Sequence, residues 1–193
     1  MKLFVVAIAL MILPYFAASA HAQRRDYMTE AEIELVRDSQ EIDKRIDVLT
    51  KMIDRRFTAL GIEAGGLKPG AKEQKAWGEA PTGTRSQLIA DIRQLLQKSV
   101  DDIDDVAEHN QNTHAANKTE GPLFPVAVRS LAASANRYKP LLNAELPKTT
   151  DERDKGMILN AIELCDSIIE SVVNLPPEVI VDKNDKKKKK SGT

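Results

Sequence analysis

The chain is poor in the residues that usually carry chemistry: one cysteine, one tryptophan and three histidines in 193 residues, with aromatics at 4%. A single thiol, Cys165, excludes an intrachain disulfide, so the fold has to stand on packing. An excess of one charge is also missing: 28 Lys plus Arg face 29 Asp plus Glu, for a formal net charge of −1. Whole-surface attraction to nucleic acid needs a strong basic excess to release phosphate counterions, and no nucleic-acid partner is expected. Strand-like alternation is absent. So are a Glu-x-x-His pair, a Cys-x-x-Cys-His haem motif, a phosphate-cradling glycine loop followed by Lys-Ser or Lys-Thr, and a dinucleotide fingerprint. No cofactor is expected from such a chain, and no enzyme activity.

What is present begins with an address. Lys2 precedes an apolar run from Leu3 to Ala18, followed by the small-x-small triplets Ala18-Ser19-Ala20 and Ala20-His21-Ala22 and then polar Gln23, Arg24, Arg25 and Asp26. This pattern predicts a secretory signal peptide over residues 1–22, cut between Ala22 and Gln23. The 16-residue run, interrupted by Pro14, falls short of the roughly 20 residues that span a bilayer, so no transmembrane segment is expected after cleavage. Cleavage leaves 27 basic and 29 acidic residues, a net of −2. The expected location is the periplasm or the medium.

Four amphipathic stripes follow over residues 23–177. The first, near 29–60, places Leu35, Ile42, Ile46, Leu49, Ile53 and Leu60 at heptad spacing, with Ser39 filling a seam position. It opens on the capping box Thr29-Glu30-Ala31-Glu32, and Gly61 stands where a left-handed terminating residue is wanted. The second, near 84–110, opens on Thr84-Arg85-Ser86-Gln87 and carries Leu88, Ile92, Leu95, Ser99, Ile103 and Val106. The third, near 123–146, keeps its phase across Pro140, which falls on the outward side and implies one kinked helix. Alanines 127, 132, 133 and 135 would let a neighbour approach closely. The fourth, near 150–175, has an apolar arc wide enough for two neighbours and stops before Pro176-Pro177. Together these predict an all-α, four-helix bundle with coiled-coil-like packing and a long first connection. The short link from Pro147 to Thr149 requires the last two helices to be antiparallel. The connection 61–83 holds six of the nine glycines and reaches about 76 Å extended, against about 48 Å for a first helix of 32 residues. The relative direction of the first two helices therefore stays open.

Few residues offer themselves as sites. Asp102, Asp105 and His109 share one helix face at three and four spacing, a candidate for a metal, the alternative being a solvated acidic surface. Trp77, inside the glycine-rich connection, is a candidate for a partner anchor; the alternative is a plug for one end of the bundle. Cys165 reads as a small buried hydrophobe beside Ile158, Ile162, Ile169 and Val172, the alternative being a reactive or intermolecular thiol. From Glu178 to Thr193 the chain is proline-led and carries Lys186 to Lys190, a net of +3. That composition predicts a disordered tail, able at most to attach weakly to an anionic surface. Asn117-Lys118-Thr119 is a glycosylation acceptor of weak meaning. The expectation is an exported, non-enzymatic bundle acting through protein–protein contacts, with another protein or with a second copy of itself. A bundle holding a small ligand, a haem or a metal is the alternative.

Overall fold

The computed structural model describes residues 25–66, 71–112 and 123–175. The expected signal segment and its cleavage site at Ala22 and Gln23, His114, Asn117 and the lysine tail lie outside these. The described residues form helices α1 (Glu30–Asp38), α2 (Ile42–Ala59), α3 (Ala71–Ala76), α4 (Arg85–Asn112), α5 (Leu123–Glu145) and α6 (Glu152–Ser171), with 3-10 turns at Leu146–Lys148 and Val172–Asn174. The protein is all-α, with no strand among these residues. None of these helices is long and apolar enough to cross a membrane.

Both capping boxes form. The Thr29 hydroxyl accepts from the Glu32 amide while the Glu32 carboxylate accepts from the Thr29 amide. Thr84 and Gln87 exchange the same pair of bonds at 2.8 and 3.2 Å. α5 runs unbroken through Pro140, which is exposed as its phase requires. Ala127, Ala132 and Ala135 are buried in its inner face, while Ala133 turns outward.

The first stripe departs from expectation. A continuous helix over 29–60 would set residues 32 and 56 about 36 Å apart, yet Glu32 is ion-paired to Arg56. The chain reverses at Ser39–Glu41, and α1 folds back along α2. Ser39 brings this about locally: its hydroxyl donates to the Leu35 carbonyl at 2.8 Å and its amide to Leu35 and Val36, closing the helix with its own side chain. The seam residue expected at position 39 is thus a helix terminator.

Side-chain pairs set the directions of the bundle. Arg56, late in α2, lies beside Asp91, early in α4, so these helices are antiparallel and the long connection turns at one end. Ser86 with Asp154 and Arg93 with Asn160 put α4 and α6 side by side and parallel. Lys139 paired with Asp166 makes α5 and α6 antiparallel, as their short link demanded. α2 and α6 each pack against both α4 and α5, whereas α4 and α5 touch less, across the bundle. The core between them includes Ile46, Leu49 and Ile53 of α2, Ile92 and Leu95 of α4, Leu131 and Ala135 of α5, and Ile158 and Ala161 of α6. Phe57 stacks on Tyr138 with centroids 5.4 Å apart, and the Tyr138 hydroxyl donates to the Thr50 carbonyl at 3.0 Å.

Candidate functional site

Five charged side chains gather where α1, α2, α4 and the first connection meet. Glu32 is fully buried and accepts from both terminal nitrogens of Arg56, from Arg55 Nη1 at 2.6 Å and from the Thr29 amide at 2.9 Å. Arg56, 1% exposed, also donates to the Tyr27 carbonyl at 2.6 Å. Its Nε makes no hydrogen bond and lies 3.8 Å from Asp91 Oδ2. Asp91, 2% exposed, is held bidentately by Arg25, both contacts at 2.8 Å, and Arg25 reaches on to the Thr82 carbonyl. Burial works to raise the Glu32 carboxyl, but the hydrogen bonds and charge of Arg56, with Thr29 and Arg55, hold it below its ordinary range. At Asp91 burial prevails over the pairing with Arg25 and Arg56, and the carboxyl is raised. The cluster clasps four separate stretches of chain at one end of the bundle. Each of its carboxylates faces an arginine.

Trp77 closes the same end. Its side chain is 3% exposed within the core, with the Arg55 guanidinium over the ring at 5.3 Å. Gly78 then turns the chain away at φ +62°, and a Cβ there would meet that of Ala31 at 3.0 Å. Arg55 also binds the Glu79 carbonyl, fastening the connection down. In this position the indole packs against its own chain and presents almost no surface to a partner.

The metal candidates are divided by their partners. Asp102 is largely covered, its side chain 12% exposed, and pairs with Lys98 at 2.8 Å. Asp105 and His109 are solvated, with side-chain exposures of 73% and 76%, and pair with each other. The Asp105 carbonyl, 2.7 Å from His109 Nδ1, and then the Asp105 carboxylate raise the imidazole above its ordinary value. No metal-binding group of three His, Cys, Asp or Glu side chains exists among the described residues. Cys165 is fully buried, and burial followed by the nearby Asp166 charge pushes its thiol up to about 12. A thiol so placed is a hydrophobe rather than a nucleophile.

Sequence reasoning missed the ionic cluster, although a signal was there. Arg56 lies seven residues after Leu49 and three after Ile53, a charge set on the apolar seam of α2. Glu32 occupies the corresponding phase three residues before Leu35. Two opposite charges on one apolar seam call for a partner inside the fold.

Two concave features lie between helices. One is a slot of about 340 Å³ at the far end, lined by Ile42, Val106, Leu123 and Phe124 beside Asp105 and His109. The other is a groove of about 560 Å³ between α4 and α6, beside the cluster. Compared with known proteins, the chain matches no family model, no curated protein sequence and no solved structure.

Proposed function

We propose that this protein is an exported, non-enzymatic helical bundle that works by contact with another protein or with a second copy of itself, in the periplasm, cell envelope or medium. The observation that supports this reading most is how the reactive groups of the core are engaged. Glu32, Asp91, Arg55 and Arg56 are committed to one another, and Cys165 is buried with its thiol far from ionisation. Aliphatic side chains fill the centre of the bundle. What such a chain offers to other molecules is its outer helix faces and the hollows between them.

A second reading, a bundle that takes up a small ligand, draws its support from the partly apolar slot beside Leu123 and Phe124. A native mass spectrum of the protein recovered from its own cells separates the two. A chain beginning at Gln23, as a dimer or with a second polypeptide, is the expected result. A strict monomer carrying non-protein mass would overturn the interaction reading in favour of the ligand, and a chain still bearing Met1 would overturn export.

A further inference from the structure

The groove between the parallel helices α4 and α6 differs in charge from the rest of this nearly neutral chain. Arg25, Arg93 and Arg153 line it together with the amides of Gln94 and Asn160, and no carboxylate lines it. The acidic groups nearby are already engaged. Asp91 is held by Arg25, Asp154 accepts from the Ser86 hydroxyl, and Glu152 pairs with Lys155 at 2.7 Å. Asp151 caps α6 by accepting from the Arg153 and Asp154 amides, so the cationic lining comes from side chains and not from an open helix end. Arg25 is neutralised by Asp91 and serves as a wall. Arg93 reaches across the groove only to the side-chain amide oxygen Oδ1 of Asn160, at 3.4 Å, and neither it nor Arg153 has a carboxylate partner among the described residues.

A second, independent feature opens the same groove. Gly156 sits in the interior of α6 among these lining residues, where alanine is the better helix former. A Cβ at Gly156 would meet nothing within 4 Å, and its backbone is not in the left-handed region, so neither packing nor backbone conformation calls for glycine. Leaving that position bare keeps the lining of the groove open there.

We propose that the α4/α6 groove binds a phosphate group, with Arg93 and Arg153 as its cationic ligands and Gln94 and Asn160 as amide donors. The planar forks of two guanidinium groups suit the oxygens of a phosphate, which they can contact in pairs. The groove is larger than a bare phosphate needs, so it accommodates the group as part of a phosphorylated small molecule or as a lipid headgroup. The proposal stands apart from the interaction reading and does not require a protein partner.

The test is titration calorimetry of the full chain with sodium pyrophosphate at two ionic strengths. Saturable one-to-one binding that weakens with salt is expected. The variant Arg93→Gln/Arg153→Gln should bind at least about 10-fold more weakly. Gly156→Leu should bind equally poorly because its side chain occupies the groove, with its melting temperature kept or raised, which rules out loss of fold as the cause. Lys155→Gln removes a neighbouring cation outside the groove and should bind like the parent. Absence of saturable binding by the parent chain overturns the site. So does parent-like binding by the double arginine variant or by Gly156→Leu, or a loss in Lys155→Gln as large as that in the double variant. Flotation with phosphatidylglycerol vesicles, and phosphatidylcholine vesicles as reference, then distinguishes the sources. The lysine run is the same in parent and double variant, so a drop in the variant assigns the site to a lipid headgroup. Equal flotation assigns it to soluble phosphate esters.

Discussion

Replacing Glu32 by glutamine removes one charge from the buried cluster while keeping a side chain of the same shape and a capping oxygen. Arg56, 1% exposed, is then left with two backbone carbonyls and with Asp91 3.8 Å from its Nε. Breaking a buried ion pair from one side costs about 3–5 kcal/mol, mostly for the stranded charge. Asp91 still faces Arg56, and Arg55, 17% exposed, can turn towards water, so the lower end of that range, about 3 kcal/mol, applies. For a domain of this size that is a fall in melting temperature of about 6–12 °C. Arg56→Met should cost a similar amount, because it strands Glu32 with Arg55 and the Thr29 amide alone. The double variant Glu32→Gln/Arg56→Met leaves neither charge unpaired within the couple, so its loss should fall short of the summed single losses by at least about 1 kcal/mol. Thermal and urea unfolding followed by circular dichroism at 222 nm measure all four forms. Single losses below about 1 kcal/mol, or strict additivity, would refute the assignment of Glu32 and Arg56 as a coupled clasp.

Trp77→Ala should lower stability by about 3–5 kcal/mol, as for other buried aromatics, and a melting temperature close to the parent's would show that the indole does not plug the bundle. Cys165 should react with a thiol reagent at pH 8 only as fast as the chain unfolds, whereas prompt labelling of the native protein contradicts its burial and its thiol value of about 12. Pro140→Ala restores an amide donor for the Asn136 carbonyl on an exposed face of α5 and should stabilise by about 2 kcal/mol in chemical denaturation; a loss would mean the chain needs a bend there. Acid titration of stability should show two opposed carboxyls. Asp91, raised in the fold, adds stability as pH falls from its folded value to its unfolded one, while Glu32, lowered in the fold, withdraws stability as pH falls from its unfolded value through its folded one. Glu32→Gln should lack its share of that acid-side fall, and an unchanged profile would contradict the sign.

The local elements were legible because their signals are local. Thr29 and Thr84 name their own helix starts through a glutamate or glutamine three residues on, and Pro140 declares its exposure through its phase on the stripe. The all-α class, the antiparallel pairing of α5 and α6 across a short link, and the burial of Cys165 follow from periodicity and chain length alone. Ser39 marks the limit of such reasoning. It fits a small seam residue and a helix terminator equally well, and the stripe keeps its spacing through the reversal, so period 3.6 carries no information about a turn that preserves phase.

The groove and the pairing within the clasp were beyond reach for a related reason. Arg56 and Glu32 stand out as charges on an apolar seam, but Arg25, Arg55 and Asp91 are ordinary charges in a chain with 57 of them, and only the folding back of α1 brings Glu32 to Arg56 across 24 positions. Arg93 and Arg153 likewise line one groove because α4 and α6 lie side by side and parallel, although a simple up-and-down bundle would have made α4 the neighbour of α5. The sequence by itself determined the all-α class, the inner faces of the stripes and the starts of α1, α4 and α5, because those depend on residues within a turn or two of one another, whereas the break that starts α2 at Ile42 was not among them. Only the tertiary structure decided which charges share a dielectric interior and which line a common groove. Those depend on the direction and order of the helices, and the links between α2 and α4 and between α4 and α5 are long enough to permit more than one arrangement.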